Sequence, residues 1–284
     1  MEEIIKLKNE LLRISENEWS FPKDVDLDGL ALEMMKNIGA IDPVLRDDLI
    51  LTGFYNLVYE KKLSKKCLKQ LLAMALSEEH LFYKLGTEND DSVFNRAFSI
   101  LIVGIIIDYH NSFGEELIDE KEMSDIFNQI IKYVKNEKDL RGYVDVKGWA
   151  HAIAHSGDAL TELGACNYLN DMELMEILDL IKLKCSIHNY VYINEEPERL
   201  VTAIVKILDR KKLSNEEVKD WIVRFKDIEL PANFPDKQYS KVNIKNLLRS
   251  LYFRLKFKGG YDNLVSEIEA VLHYYNTNYN EFSE

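Results

Sequence analysis

The chain has 284 residues but only 3 cysteines, 5 prolines and 12 glycines. Cys67, Cys166 and Cys185 are odd in number and lack metal-ligand spacing, which excludes a disulfide framework and a cysteine-based zinc site. Three reduced thiols in a cytoplasmic protein are the expectation. So little Pro and Gly excludes collagen-like or linker-rich organisation. Cations are the minority: 36 Lys and Arg face 49 Asp and Glu, a formal net charge of −13. That total weighs against nucleic acid as a partner, because a nucleic-acid reader carries a basic face. Long apolar runs are also missing. The longest, Ile100 to Ile107, is closed by Asp108 and falls short of the ~20 residues a membrane span needs. A buried core helix is expected there and no membrane segment. The opening MEEIIKLKNE is charged and mixed, unlike a secretory signal. No GxGxxG or Walker loop occurs, and Ser156 in AHSGD lacks the first glycine of a nucleophile elbow.

What the chain does have is helical periodicity. Hydrophobic residues make up 46% and charged residues 30%, the balance of a folded globular chain. Apolar residues recur with helical spacing almost throughout, and no run of period-two alternation stands out. Asp42-Pro43 reads as a helix start, Ser77 with His80 occupies the positions of a capping box, and Gly259-Gly260 reads as the stop of a long helix beginning near Pro235.

A degenerate repeat runs through this pattern. Ser64, Asp119, Asn170 and Ser214 each look like a helix cap followed by apolar residues at positions 4, 7, 8 and 11. The four caps lie 55, 51 and 44 residues apart, and each is preceded by another helical stretch. The spacing predicts an all-α fold: a HEAT/armadillo-like stack of antiparallel helix pairs, an α-solenoid. The pairs are placed at 42–76, 92–135, 148–188 and 197–226, with helical caps at 1–38 and 235–278, in a single domain covering 1–284.

The most polar constellation lies in RGYVDVKGWAHAIAHSGDALTELGA, residues 141–165. On a helix spanning 148–166, His151, His155 and Asp158 fall at i, i+4 and i+7, within roughly 60° of one another. Two imidazoles and a carboxylate on one stripe can share a proton, an anion or a divalent metal such as zinc or iron. The HExxH glutamate of metalloproteases is replaced by Ala152. Further metal ligands would come from Asp145, His110, Asp108 or Glu195, and the sequence does not choose among them. The bland alternative is a structural polar network. If the repeats stack regularly, Arg46, Arg96 and Arg199 flank the stripe. Arg96, Arg141, Trp149 and Arg199 are then the candidate ligand-binding residues. The same helix is rich in small residues, and Gly157 within it costs on the order of 1 kcal/mol relative to Ala, which close packing or a ligand must offset. Near the C-terminal end, KNLLRSLYFRLKFKGG interleaves cations with aromatics, a pattern seen in single-strand binding but also in an amphipathic helix with cations toward its C-terminus.

The stretch 141–163 resembles the signature of the DUF2785 family, uncharacterised proteins mostly of Firmicutes. DPVLRDDLILTGFYNLV, FNRAFSILIV, EEPERLVTAIVKIL and NLLRSLYFRL are also similar to that family's pattern, so the resemblance spans about residues 30 to 275. It implies an all-helical, HEAT-like fold and a signature made of Arg141, Gly142, Gly148, Trp149, His151, His155 and Asp158. It implies no activity. The reading is therefore a binding or scaffold module for a protein segment or small anionic ligand on a concave face. The alternative is a metal-dependent or general acid–base enzyme, hydrolase-like, using His151, His155 and Asp158.

Overall fold

The structure is a computed structural model, and it describes residues 2–22, 24–113 and 117–276. The ends of the two expected caps, residue 1 and residues 277–278, lie outside the described residues, as do residues 114–116 in the second expected pair. The fold is all-helical. The α-helices are α1 (Glu2–Glu16), α2 (Leu27–Lys36), α3 (Thr52–Tyr59), α4 (Lys65–Ala75), α5 (Ser92–Phe113), α6 (Glu120–Asn136), α7 (Ala152–Ala165), α8 (Asp171–Cys185), α9 (Glu196–Asp209), α10 (Asn215–Val223), α11 (Asp236–Lys258) and α12 (Asp262–Tyr275). A wide-turned π-helical segment, Val44–Leu51, leads into α3.

The chain falls into two compact units, Met1–Tyr168 and Leu169–Glu284. In the first, α5 is the central element and packs on α3, α4 and α7. It is 22 residues long and, by length and composition alone, apolar enough to cross a membrane, yet 89% of its most apolar window is buried inside the protein. It is a core helix. In the second unit α11 packs on α8, α9 and α12, and α10 packs on α12.

Four helix starts follow directly from their capping residues. Ser64, Asp119, Asn170 and Ser214 are the N-caps of α4, α6, α8 and α10. Each side-chain oxygen accepts from a first-turn N–H that the helix itself leaves unpaired. In three of them a glutamate, Glu122, Glu173 or Glu217, reaches back to the N-cap backbone and completes a capping box. Asp42 likewise accepts from the N–H groups of Val44 and Leu45, and α11 ends at Gly259 with φ +75°. Ser77 starts no helix. Its hydroxyl meets the His80 ring, whose other nitrogen lies 3.2 Å from the carbonyl oxygen of Met35, so these residues fix a loop.

The small residues of α7 serve close packing. A Cβ on Gly104 of α5 would sit 3.3 Å from the Cα of Ala159, so the two helix backbones approach closely there. Gly157 is buried in the same helix.

The helix read as 148–166 begins only at Ala152. Before it, Tyr143–Val144 and Gly148–Trp149 form a small antiparallel ribbon, here β1 and β2, with Tyr143 opposite Trp149 and Val144 opposite Gly148. Two residues per strand are too few to show as period-two alternation.

Candidate functional site

The family-like signature folds into the β1–β2 hairpin and the first turns of α7. Val146 at the tip has φ +66° and Gly148 has φ +78°. Gly148 is required twice over. Its φ suits glycine, and a Cβ there would lie 2.8 Å from Cβ of Pro43 and 2.9 Å from Oδ2 of Asp47.

What approaches so closely is the π-helical segment, and the residue that joins it to the hairpin is Arg46. This side chain is fully buried. Nη1 donates to the carbonyl oxygen of Ala40 at 2.6 Å, Nη2 to that of Lys147 at 2.7 Å, and Nε to Oδ1 of Asp47 at 2.8 Å. Asp47 in turn accepts from the backbone N–H of Trp149, and burial pushes its carboxyl above the usual range against the pull of Arg46. The outer edge of β2 is therefore covered by an ion pair whose guanidinium is fully buried and whose carboxylate is partly so. The guanidinium carbon also stands 4.3 Å and 4.8 Å from the ring centroids of Phe94 and Phe98, a cation–π arrangement away from water.

From that anchor a line of rings runs outward. Phe98 meets His155 edge-on at 5.1 Å, His155 meets His151 at 5.6 Å, His151 stacks on Trp149 at 4.3 Å, and Trp149 meets Tyr143 edge-on at 5.0 Å. Exposure rises along it, from 8% at His155 to 39% at Trp149 and 57% at Tyr143, while Val146 at the hairpin tip is 81% exposed. The Nδ1 of His155 lies 3.1 Å from the carbonyl oxygen of Ala97. A carbonyl oxygen only accepts, so in the neutral ring the proton sits on Nδ1 and Nε2 is the acceptor.

His151 stands just outside α7 as its N-cap, with φ +50° in the left-handed region, and the ring lies on Trp149. His155 and Asp158 share α7 and the His151 and His155 rings meet as expected, but His151 caps the helix and is not part of its continuous run. Among the described residues no three His, Cys, Asp or Glu side chains are disposed to hold one metal ion. Asp158 is half-buried on α7. Of the other candidate ligands, Asp108 accepts from Tyr59 and Ser112, Asp145 lies in the hairpin turn, and Glu195 belongs to the second unit.

The arginines are also placed differently from a flanking surface row. Arg96 is fully buried and forms a bidentate pair with Glu137, Nε to Oε2 at 2.6 Å and Nη2 to Oε1 at 2.9 Å. Its remaining donors meet the carbonyl oxygen of Tyr83 and the hydroxyl of Ser92. It closes the 77–91 loop onto the end of α6. Arg141 forms two hydrogen bonds to Asp139 and a third to the carbonyl oxygen of Asp90, and its pKa is raised chiefly by Asp139. Lys147 meets both carboxylate oxygens of Asp91 at 2.8 Å. Arg199 is exposed on α9 in the second unit. Asp47, Asp139 and Glu137 are the structural partners that the motif itself does not reveal, whereas Arg46, expected beside the stripe, meets the hairpin from inside the core. The only hint in the sequence is that the acids Glu137 and Asp139 directly precede the signature.

No curated protein and no solved structure matches the chain. A family profile, "Protein of unknown function (DUF2785)", matches residues 81–253 and so includes the hairpin, the ring series and α7. The chain belongs to the DUF2785 family.

Proposed function

We propose that this chain is a cytoplasmic binding module built of HEAT-like helix pairs, and that it engages a protein segment through the β1–β2 hairpin. One observation carries the reading: the exposed Tyr143–Trp149 pair sits on a hairpin whose backbone is held from inside by the fully buried Arg46. Rigid, partly exposed aromatics on a preorganised support are what protein-recognition hot spots are made of. A small anionic ligand is the weaker choice. Arg46 and Arg96 are buried with their donors occupied, and Arg141 and Lys147 already face Asp139 and Asp91. Three buried cysteines, none of them in a disulfide, are consistent with a reducing compartment.

A photo-crosslinking residue at Val146 tests this, with the same residue at Met172, 80% exposed in the second unit, as control. The expected result is a protein captured at Val146, not at Met172, and lost on Trp149→Ala. Equal capture at both positions would refute it.

A second reading has one observation in its favour. The hydrogen bond to Ala97 orients His155 and sets its tautomer, as for a general base. The proton-transfer reading requires His155→Gln to abolish a turnover that Trp149→Ala spares. Turnover retained in His155→Gln would remove it.

A further inference from the structure

The second unit carries a polarised surface that the hairpin reading does not use. Lys241, Lys245, Arg249, Phe253 and Phe257 recur every four residues along α11, which places them on one slowly winding stripe. Burial, then Arg249 and Lys241, pushes the Lys245 amine below its usual value, so these cations sit close enough to repel one another. Lys245 also donates to Asn276 at 3.2 Å. Arg249 is exposed and Lys241 half-exposed, and among the described residues neither side chain forms a hydrogen bond or ion pair. In a chain of net charge −13, two cations on one helix stripe, one turn either side of Lys245 and with no side-chain ion pair, are a departure from the rest of the surface.

The stripe ends in a cleft of about 600 Å³. Arg249, Phe253 and Phe257 form one wall, and Tyr192, Ile193 and Pro197 the other. Phe253 and Phe257 stack at 6.0 Å and are 52% and 83% exposed, and Ile193 is 75% exposed. Arg254 donates to Thr202 and to the carbonyl oxygen of Glu198, which ties α11 to α9 beside the cleft. Glu195 and Glu198 also border the cleft. The stripe thus runs from cations at Lys241, Lys245 and Arg249 to aromatic rings at Phe253 and Phe257, beside a cleft that Arg249 shares with two glutamates.

We propose that this surface binds an acidic peptide segment, its carboxylates on Lys241 and Arg249 and an aromatic or long aliphatic side chain in the cleft against Phe253 and Phe257. The charge pattern selects a peptide over a nucleic-acid strand. Cations interleaved with aromatics suit both, but a strand carries a phosphate on every nucleotide, including those that would lie in the cleft lined by Glu195 and Glu198. A peptide can be acidic at one end and apolar at the other.

Fluorescence anisotropy on the full chain tests this with a labelled Asp-Glu-Asp-Glu-Ser-Phe-Leu peptide, the same peptide with lysine for each acid, and a labelled single-stranded oligonucleotide. Saturable binding of the acidic peptide is expected. It should weaken about tenfold or more in Lys241→Glu/Arg249→Glu and fall with added salt. Phe257→Ser should weaken it while keeping the salt dependence. Arg249→Gln, which removes the charge alone, replaces the double reversal if circular dichroism shows that the reversal disturbs folding. Absence of saturable binding, equal binding of the lysine peptide, binding of the oligonucleotide in place of the peptide, or indifference to loss of the Arg249 charge would each overturn the proposal.

Discussion

Arg46 donates a hydrogen bond of 2.7 Å to the carbonyl oxygen of Lys147, 101 residues further along the chain. The bond is made by a fully buried guanidinium, and it fixes the turn from which the family signature is displayed. Desolvating such a group is costly and is offset only when its donors are met. Here Ala40, Asp47 and Lys147 meet them.

Removing that side chain leaves two carbonyl groups without this donor and the largely buried Asp47 carboxylate without its counter-charge, with the Trp149 N–H still donating to it. Arg46→Met should destabilise the protein by about 3–5 kcal/mol, the usual cost of breaking a buried ion pair from one side. Gly148→Ala should also destabilise, by about 1–3 kcal/mol from backbone strain alone, because φ is +78° and Pro43 and Asp47 crowd the new Cβ. Urea denaturation measures both, and a loss below about 1 kcal/mol for Arg46→Met would show that the clamp is not structural.

The capping boxes give stability a defined pH dependence. The Asp119 N–H, then Lys69, holds the Glu122 carboxyl below its ordinary 4.5. The Ser214 hydroxyl and N–H hold Glu217 below the same value. A carboxyl whose folded pKa is depressed contributes stability fully present above the unfolded pKa and lost as pH falls through the folded one. That contribution should therefore fade as pH drops below about 4.5. Burial pushes Glu196 the opposite way, so its contribution is present at low pH and lost as pH rises. Denaturation midpoints of the parent and of Glu122→Gln/Glu217→Gln, followed from pH 6 to pH 3, should converge as the solution is acidified. Parallel curves would contradict the assignment.

The buried thiols should be inert. Burial is the first cause that pushes Cys67 and Cys185 up to about 12, and a thiol reacts through its thiolate. A colorimetric disulfide reagent at pH 8 should label neither residue in the folded protein and both after unfolding. Rapid labelling of either under native conditions would show local opening of its helix.

The caps were legible because capping is local chemistry. A Ser, Asp or Asn ahead of an apolar run satisfies N–H groups within three residues, so Ser64, Asp119, Asn170 and Ser214 could each be read from a short window. The neighbourhood of His151 and His155 was legible, but the conformation of His151 and its stacking on Trp149 were not. His151 leaves the helix because its φ is positive and the hairpin turns back over Arg46, and no windowed periodicity encodes a contact 101 residues away. The buried arginines were opaque for a related reason. Arg46 and Arg96 look like the exposed Arg199 in sequence, and what separates them is the set of distant carbonyls and carboxylates that receive them.

In the proposed function Trp149 and Tyr143 serve recognition, while Arg46 serves the fold. The most direct measurement combines denaturation stability with crosslinked capture at Val146 for the Tyr143→Ala/Trp149→Ala variant. The account predicts that stability falls by only about 1–2 kcal/mol, because both rings are substantially exposed, and that capture is lost. Full capture by the folded variant would contradict it.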